Sequence, residues 1–426
     1  MATGEGEWTG LDILPRIVGL ADGPPPLAAQ GRPQPLLWQQ KNWSGFVQWS
    51  HGHGEAMLTP STVEEVQQIV RSNDHVRVLG RGHGFPAICD QSHAEGVMVS
   101  LLPNMGRILE IDTERSVAVV EGGCVYRALV EQLEGTGLAL QNTQSLSHIT
   151  VAGGVATGSH GSSGVDPTTG RARLPSTATL ISGLEIVIGD GSVVEYSRDR
   201  DTEIWGGLVT SLGCHGVVTK LTIDLVPDFD VHSFGYQGVS AETFLEHWDD
   251  MLNHPSCTSF NAMLRWPCET VGFGFQHFIP AGERALGPSE APPVPETWYG
   301  EGAPRERAGW VNNNIVRWHQ SVIGMSPKGI PEEFQLEFFV PLEHAVAALR
   351  ATWQVAAEHW GEIVEPEDER PADAVGGGPA GGHIMNCKQQ HPFRRVLSAA
   401  SLMDCAFGRS SYQGRARRRP VALTHH

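Results

Sequence analysis

Positive charge is what this sequence has least of. Its 426 residues hold 30 Lys and Arg against 48 Asp and Glu, a formal net charge of −18. Nucleic-acid binders take their affinity from phosphates neutralised by Lys and Arg, so that class is excluded. The one basic run, Arg415–Arg419, reads as a tail. Seven cysteines are scattered with no C-x-x-C pair, which speaks against a zinc ribbon and a disulfide framework; no metal site is expected. No run approaches the ~20 apolar residues of a membrane-spanning helix. Glu5, Glu7 and Asp12 occupy the place where a secretory leader would be basic and then apolar. A reducing, cytoplasmic setting is the expectation, with peripheral membrane association left open.

Two common nucleotide motifs are also missing. The glycine-rich run Gly80-Arg81-Gly82-His83-Gly84 is followed by Phe85-Pro86-Ala87-Ile88-Cys89-Asp90, which has a proline and no helical period. A Rossmann fingerprint needs its glycines to open an amphipathic helix, and a Walker loop closes on Gly-Lys-Ser/Thr. What is present is a short apolar strand, Val76–Leu79, running into alternate glycines around one histidine. Such glycines permit positive φ and leave backbone N–H groups uncovered, a cradle suited to phosphate. Alone, the loop is equally well a plain strand-turn.

A second dense stretch spans 141–163, QNTQSLSHITVAGGVATGSHGSS. Its residues are mostly small or hydroxyl-bearing, as in a linker. Ile149, Val151, Val155 and Ala156 interrupt it, which a solvated linker does not need. Hydroxyls and bare N–H groups anchored by small apolar residues suit a polyphosphate and a polar ring system.

Around these stretches the pattern predicts short elements. Ser61-x-x-Glu64 reads as a capping box before a stripe of Val63, Val66, Ile69 and Val70. Strands are expected at 97–101, 106–112 and 116–121, and a helix at 125–134. A hairpin is expected from 184–188 and 192–196 through Gly189-Asp190-Gly191, and a strand at 216–226. After Pro227 a second unit begins: a helix over 242–252, strands at 258–265, 271–278 and 334–340, and a long helix over 342–360. Short strands alternating with helices give an α+β class.

The glycine–histidine loop, the 141–163 stretch and Thr210-Ser211-Leu212-Gly213 with Gly216-Val217-Val218-Thr219 together resemble one family. It is the FAD-linked oxidases of the vanillyl-alcohol-oxidase type, and within it the alditol (xylitol) oxidases and the sugar-1,4-lactone oxidases. The likeness rests on joint spacing: Asn42-Trp43-Ser44-Gly45; Val78-Leu79-Gly80-x-Gly82-His83; Asn142-x-x-Ser145-Leu146-x-His148-Ile149; and Val151-Ala152-Gly153-x-Val155-Ala156-Thr157-Gly158-x-His160-Gly161. It runs from about Asn42 to Pro227 and continues more weakly to Trp360.

The resemblance implies a two-subdomain FAD-binding domain over 38–228 and an α+β substrate domain over 229–361. Residues 1–37 would be a disordered extension. His83 would carry the flavin covalently. The backbone of Gly80, Arg81, Gly82, Gly84 and Phe85 would hold the pyrophosphate. Ser145, Thr150, Gly153, Thr157, Gly158, Ser159 and His160 would line the flavin, and Val218 would meet the adenine side. For His148 and His160 a structural role is as fitting as direct contact. The implied reaction oxidises a CH–OH group of a sugar alcohol or aldono-1,4-lactone, such as D-arabinono-1,4-lactone, with oxygen as acceptor and hydrogen peroxide as product. Ser145 is the catalytic candidate. Gln144 stands where the family has a small residue, and its bulk would act as an oxygen gate, favouring dehydrogenase behaviour.

The pattern departs from the family after the long helix. No Glu-x-Arg strand follows, and His359-Trp360-Gly361-Glu362, with Glu in place of Lys, comes too early in the chain to be the family's C-terminal segment. The substrate domain is therefore expected to be incomplete, and 362–426 to be an irregular tail from a frameshift or mis-spliced reading, with no strand pairing back to earlier elements. A clean in-frame transcript over this region, read by sequencing, would overturn that expectation. Two other readings remain at this point: an FAD-binding protein with little turnover, and a polyol- or nucleotide-binding module without flavin.

Overall fold

The computed structural model describes residues 42, 57–84, 88, 96–144, 146–263, 270–280, 282–283, 309–317, 334–336, 338–359 and 395–397. The expected N-terminal extension and most of the expected tail lie outside them.

The first unit opens with α1 (Val63–Ser72). Its cap sits one residue later than the sequence pattern placed it. Thr62 is the N-cap, and its Oγ1 accepts from Glu65 N at 3.2 Å. Glu65 reaches back, Oε2 accepting from Ser61 N at 2.6 Å. The box pairs Thr62 with Glu65 because that frame turns Val66 into the core, where it is 1% exposed. Strand β1 (His75–Val78) follows and pairs in parallel with β2 (Gly96–Val99). Leu79 N donates to Val99 O at 2.8 Å, so the ladder holds the chain up to the glycine loop.

A five-stranded antiparallel sheet forms the body of this unit. Its strands are β3 (Ile108–Asp112), β4 (Val117–Glu121), β5 (Ile181–Val187), β6 (Val193–Ser197) and β7 (Val217–Asp224), in spatial order β3-β4-β7-β5-β6. β7 alternates cleanly, with Val217, Thr219, Leu221 and Ile223 buried and the residues between them half-buried. That period of two is what a sheet with one packed face requires. The expected hairpin joins β5 and β6, and Gly191 supplies the positive φ of its turn (+78°). Two helices pack with the sheet: α2 (Tyr126–Leu133) and the six-residue α3 (Val151–Ala156). Leu129, Val130, Val151, Ile186 and Leu221 are fully or almost fully buried in their shared core. Each such side chain stabilises by roughly 2 kcal/mol.

The second unit is built on β8 (Phe229–Ser240), β9 (Ser259–Met263), β10 (Thr270–Pro280) and β11 (Gly309–Arg317), in order β9-β10-β8-β11, all antiparallel. Sequence patterning missed β8, its central strand. Gly235 and Gly238 interrupt the segment, and the register slips between Tyr236 and Val239, so its alternation is broken. The helix expected over 242–252 is two, Ala241–Glu246 and Trp248–Leu252, divided at His247. The long helix runs Ala345–Glu358 after a 3-10 turn at Leu342–His344. Its Ala345 and Leu349 join Phe244, Trp248, Phe260 and Phe273 in a second core, with Val346 and Trp353 against it. One expectation about the tail needs correction. Arg395–Leu397 does pair with an earlier segment, forming a three-residue parallel ladder with Phe334–Leu336.

The two sheets are stitched where the 141–163 stretch ends. Gly164 N donates to Thr258 O at 2.8 Å, and Ser162 Oγ lies 2.5 Å from Ser259 Oγ. A Cβ on Gly164 would run into the Cys257 carbonyl oxygen. Gly164→Ala is therefore expected to destabilise the fold by roughly 2 kcal/mol, the usual cost of overpacking, read from urea or thermal unfolding.

Candidate functional site

The glycine loop and the second dense stretch meet at one threonine. Thr150 is the N-cap of α3, and its Oγ1 accepts from Gly153 N at 3.2 Å. The same oxygen lies 2.5 Å from where a Cβ on Gly80 would sit and 2.6 Å from one on Gly153. Only glycine fits at either place without displacing Thr150. Gly82 takes positive φ (+68°). Asn42, buried, donates from Nδ2 to Gly84 O at 3.1 Å and fixes the far end of the loop. Asn142 plays a similar part for the later segment. Its Nδ2 donates to Pro175 O at 2.8 Å, and its Oδ1 closes on Gly161, where no Cβ would fit.

His83 stands in the middle of the loop, and it is not uncovered. Its Nε2 lies 2.6 Å from Nε2 of His148, with ring centroids 4.6 Å apart. Burial holds His83 well below the usual histidine range, and His148 and Arg81 add to the effect. Burial, then Arg81 and Arg127, bring His148 down to about 4. Both rings are therefore neutral near pH 7. Burial alone lowers Arg81 to about 10, and its Nε has no hydrogen-bond partner among the described residues. Gln144 is buried; its Nε2 donates to Leu146 O at 3.2 Å, and its Oε1 has no partner among them. Buried polar atoms rarely stay unsatisfied, so these two fit a polar ligand.

The remaining sequence-predicted residues are placed as follows. Thr157 is exposed, and its Oγ1 donates to Gly153 O at 2.9 Å. Gly158 has φ +71°, and the Thr210–Gly213 segment docks beside it, Leu212 N donating to Ala156 O at 2.9 Å. Ser159 O accepts from Thr177 Oγ1. His160 donates from Nδ1 to Gly161 O at 3.0 Å and meets the Phe339 ring edge-on at 5.8 Å. Val218 lies on β7 beside a bulge, half-buried, with its carbonyl against Gly122. It reaches the loop region through the Gly122–Cys124 turn, whose Cys124 O accepts from Val151 N at 2.8 Å. Ser145 and Phe85 lie outside the described residues. Sequence reasoning quoted Asn42 and Asn142 within motifs but gave them no task. A side chain reaching 42 residues along the chain leaves no local signal.

A family model for an FAD binding domain matches residues 55–197, the span that contains both glycine segments. Residues 55–197 of this chain therefore carry an FAD binding domain. Similar curated proteins include an alditol oxidase from a Streptomyces species, 38% identical over 45% of this chain and 42% of that protein. The L-gulonolactone oxidase of Bos taurus is 28% identical over 52% of this chain and 48% of its own. The chain thus spans about half the length, or less, of these relatives. A crystal structure of cholesterol oxidase from B. sterolicum is similar in fold, with a TM-score of 0.50 at 18% identity over 62% of this chain and 53% of that one. The residues present fit FAD: glycine segments with no room for side chains, and buried polar atoms still lacking partners. Among the described residues, no helix is long and apolar enough to cross a membrane.

Two outcomes follow for this FAD binding domain. Gly80→Ala is expected to cost roughly 2 kcal/mol with Thr150 present and clearly less in a Thr150→Ala background, measured as a double-mutant cycle of thermal unfolding. The pH dependence has a definite sign. The unfolded chain holds His148 near 6.5 and the folded chain near 4, so folding favours the neutral ring. Stability is complete above about 6.5 and falls as pH drops toward 4. His148→Gln should flatten that slope in denaturant melts taken across the range.

Proposed function

We propose that this chain is an FAD-dependent oxidoreductase that oxidises a CH–OH group of a sugar alcohol or aldono-1,4-lactone, D-arabinono-1,4-lactone included. Dioxygen is the acceptor and hydrogen peroxide the product. The observation that carries this is His83, a neutral histidine set in a glycine loop inside the FAD binding domain. The likeness to an alditol oxidase and an L-gulonolactone oxidase supplies the substrate class. The FAD-binding part takes in residues 38–228 and the substrate part 229–361.

In this reading His83 holds the flavin covalently. The N–H groups of Gly80, Gly82, Gly84 and Phe85 hold the diphosphate, and the unpartnered Nε of Arg81 offers it a charge-assisted hydrogen bond. Ser145, Thr150, Gly153, Thr157, Gly158, Ser159 and His160 line the ring system, and Val218 the adenine. Bound FAD supplies a hydride acceptor that returns its electrons to oxygen. Ser145 meets the substrate hydroxyl. Gln144, buried beside Leu146, narrows the path of oxygen.

One sequence observation favours a second reading, an FAD-binding protein with little turnover: no Glu-x-Arg motif follows the long helix in the sequence. A peroxide screen decides between the two. Xylitol, sorbitol, arabinono-1,4-lactone and gulono-1,4-lactone are offered to the flavin-loaded protein, and peroxide with at least one is expected. A yellow protein silent with all four would favour binding without turnover. Gln144→Ala should raise the rate of reoxidation by oxygen in stopped flow; an unchanged rate removes the gate.

A further inference from the structure

We propose that His254 is an acid-sensitive latch between the two units: as a neutral ring it holds the turn that carries Thr258, and protonation releases that turn from Gly164. The proposal goes beyond the oxidoreductase reading and does not depend on it.

The turn is short and closed on itself. Ser256 N donates to His254 Nδ1 at 3.2 Å, and Cys257 N donates to His254 O at 2.8 Å. Ser256 and Cys257 are both buried. The next two residues grip the first unit: Thr258 O accepts from Gly164 N, and Ser259 Oγ meets Ser162 Oγ. Thr258 also ties the turn to β10 on either side of His277. Its N donates to Gln276 O at 2.9 Å, and its Oγ1 accepts from Phe278 N at 3.1 Å.

An imidazole nitrogen accepts a hydrogen bond only while it carries no proton. With Nδ1 taken by the Ser256 N–H, His254 has to be neutral. A proton on Nδ1 sets N–H against N–H, and a buried backbone donor loses its acceptor. The surroundings act in the same direction. Burial first, then the charge of Arg173, lower the proton affinity of the half-buried His254. Arg173 is fixed at the seam through Gly164 and Val165, its N donating to Gly164 O at 3.0 Å and its Nε to Val165 O at 2.9 Å. His277 is lowered by burial first, then by His232, its partner across the β8–β10 ladder, and by Arg173; Glu283 and the Ser256 backbone oppose this without reversing it. The His277 Nδ1 has no hydrogen-bond partner among the described residues, so a proton there would find no acceptor. Asp166, which feels the charge of Arg173, spends Oδ1 on the N–H groups of Thr168 and Thr169. Cys257 stays a thiol, pushed up to about 12 by burial.

The sign follows from these directions. The folded seam disfavours both rings as cations, so it is complete above their ordinary value of 6.5 and weakens as pH falls below it. Ser162 and Gly164 directly follow Gly161, which is packed against Asn142. Acid therefore loosens the second unit's hold on the end of the 141–163 stretch.

Hydrogen–deuterium exchange of the full chain, followed peptide by peptide, tests this. Labelling times are scaled for the intrinsic pH dependence of exchange. Between about pH 7.5 and about pH 5.5, a range that spans histidine titration, peptides over 162–166 and 254–259 should lose protection at least about tenfold, the effect of leaving a buried N–H without its acceptor. Peptides over β4 and β7 should keep theirs. His254→Asn offers an amide oxygen in place of Nδ1 and does not titrate, so it should stay protected at both pH values. Arg173→Gln should lose less protection in acid than wild type, and it serves if His254→Asn does not fold. Equal protection of the wild-type seam at both pH values overturns the proposal. So does an acid loss of full wild-type size in His254→Asn or in Arg173→Gln.

Discussion

Close approach to Thr150 is the constraint on which the site depends. One hydroxyl caps α3 and leaves no room for a side chain at either Gly80 or Gly153. Two segments 70 residues apart in sequence are thereby held with their backbones bare, which side chains in either segment would prevent. The strand pair β1–β2 delivers the first segment, and the Gly122–Cys124 turn ahead of α2 delivers the second through Cys124 O and Val151 N. The rest of the first core keeps these two deliveries in register.

Because the loop is carried by backbone approach, its chemistry is set by what the packing excludes. His83 and His148 are half-buried, and packing lowers the affinity of both rings for a proton. The same burial leaves Arg81 charged yet with Nε unpaired among the described residues. A chain with a net charge of −18 thus holds a local cation and two neutral bases around one glycine loop. That is an arrangement for an anionic, redox-active cofactor. The segment before the long helix adds Phe339, whose ring meets His160, and the second sheet is tied in through Gly164 at the end of the same stretch.

Much of this was legible in the sequence, and the failures have physical reasons. The glycine–histidine spacing marked the loop because backbone without side chains needs glycine wherever it runs. The hairpin at Gly189–Gly191 and strand β7 were visible through turn residues and clean alternation. The α1 cap was displaced by one residue because Ser61 and Thr62 both present a hydroxyl and Glu64 and Glu65 both a carboxylate; core packing of Val66 chose between them. Strand β8 was hidden by its glycines and its slipped register. The contact of His83 with His148, like that of Asn42 with Gly84, joins residues far apart and has no periodic signature. Spacing alone identified the participants and left their contacts open.

The most direct test of the account is the visible absorption spectrum of the purified chain, taken before and after acid precipitation. The account predicts a flavin spectrum in the native protein and yellow colour that stays with the pellet. A protein that remains colourless after incubation with FAD would contradict it, because the glycine segments around Thr150 would then have no cofactor to hold.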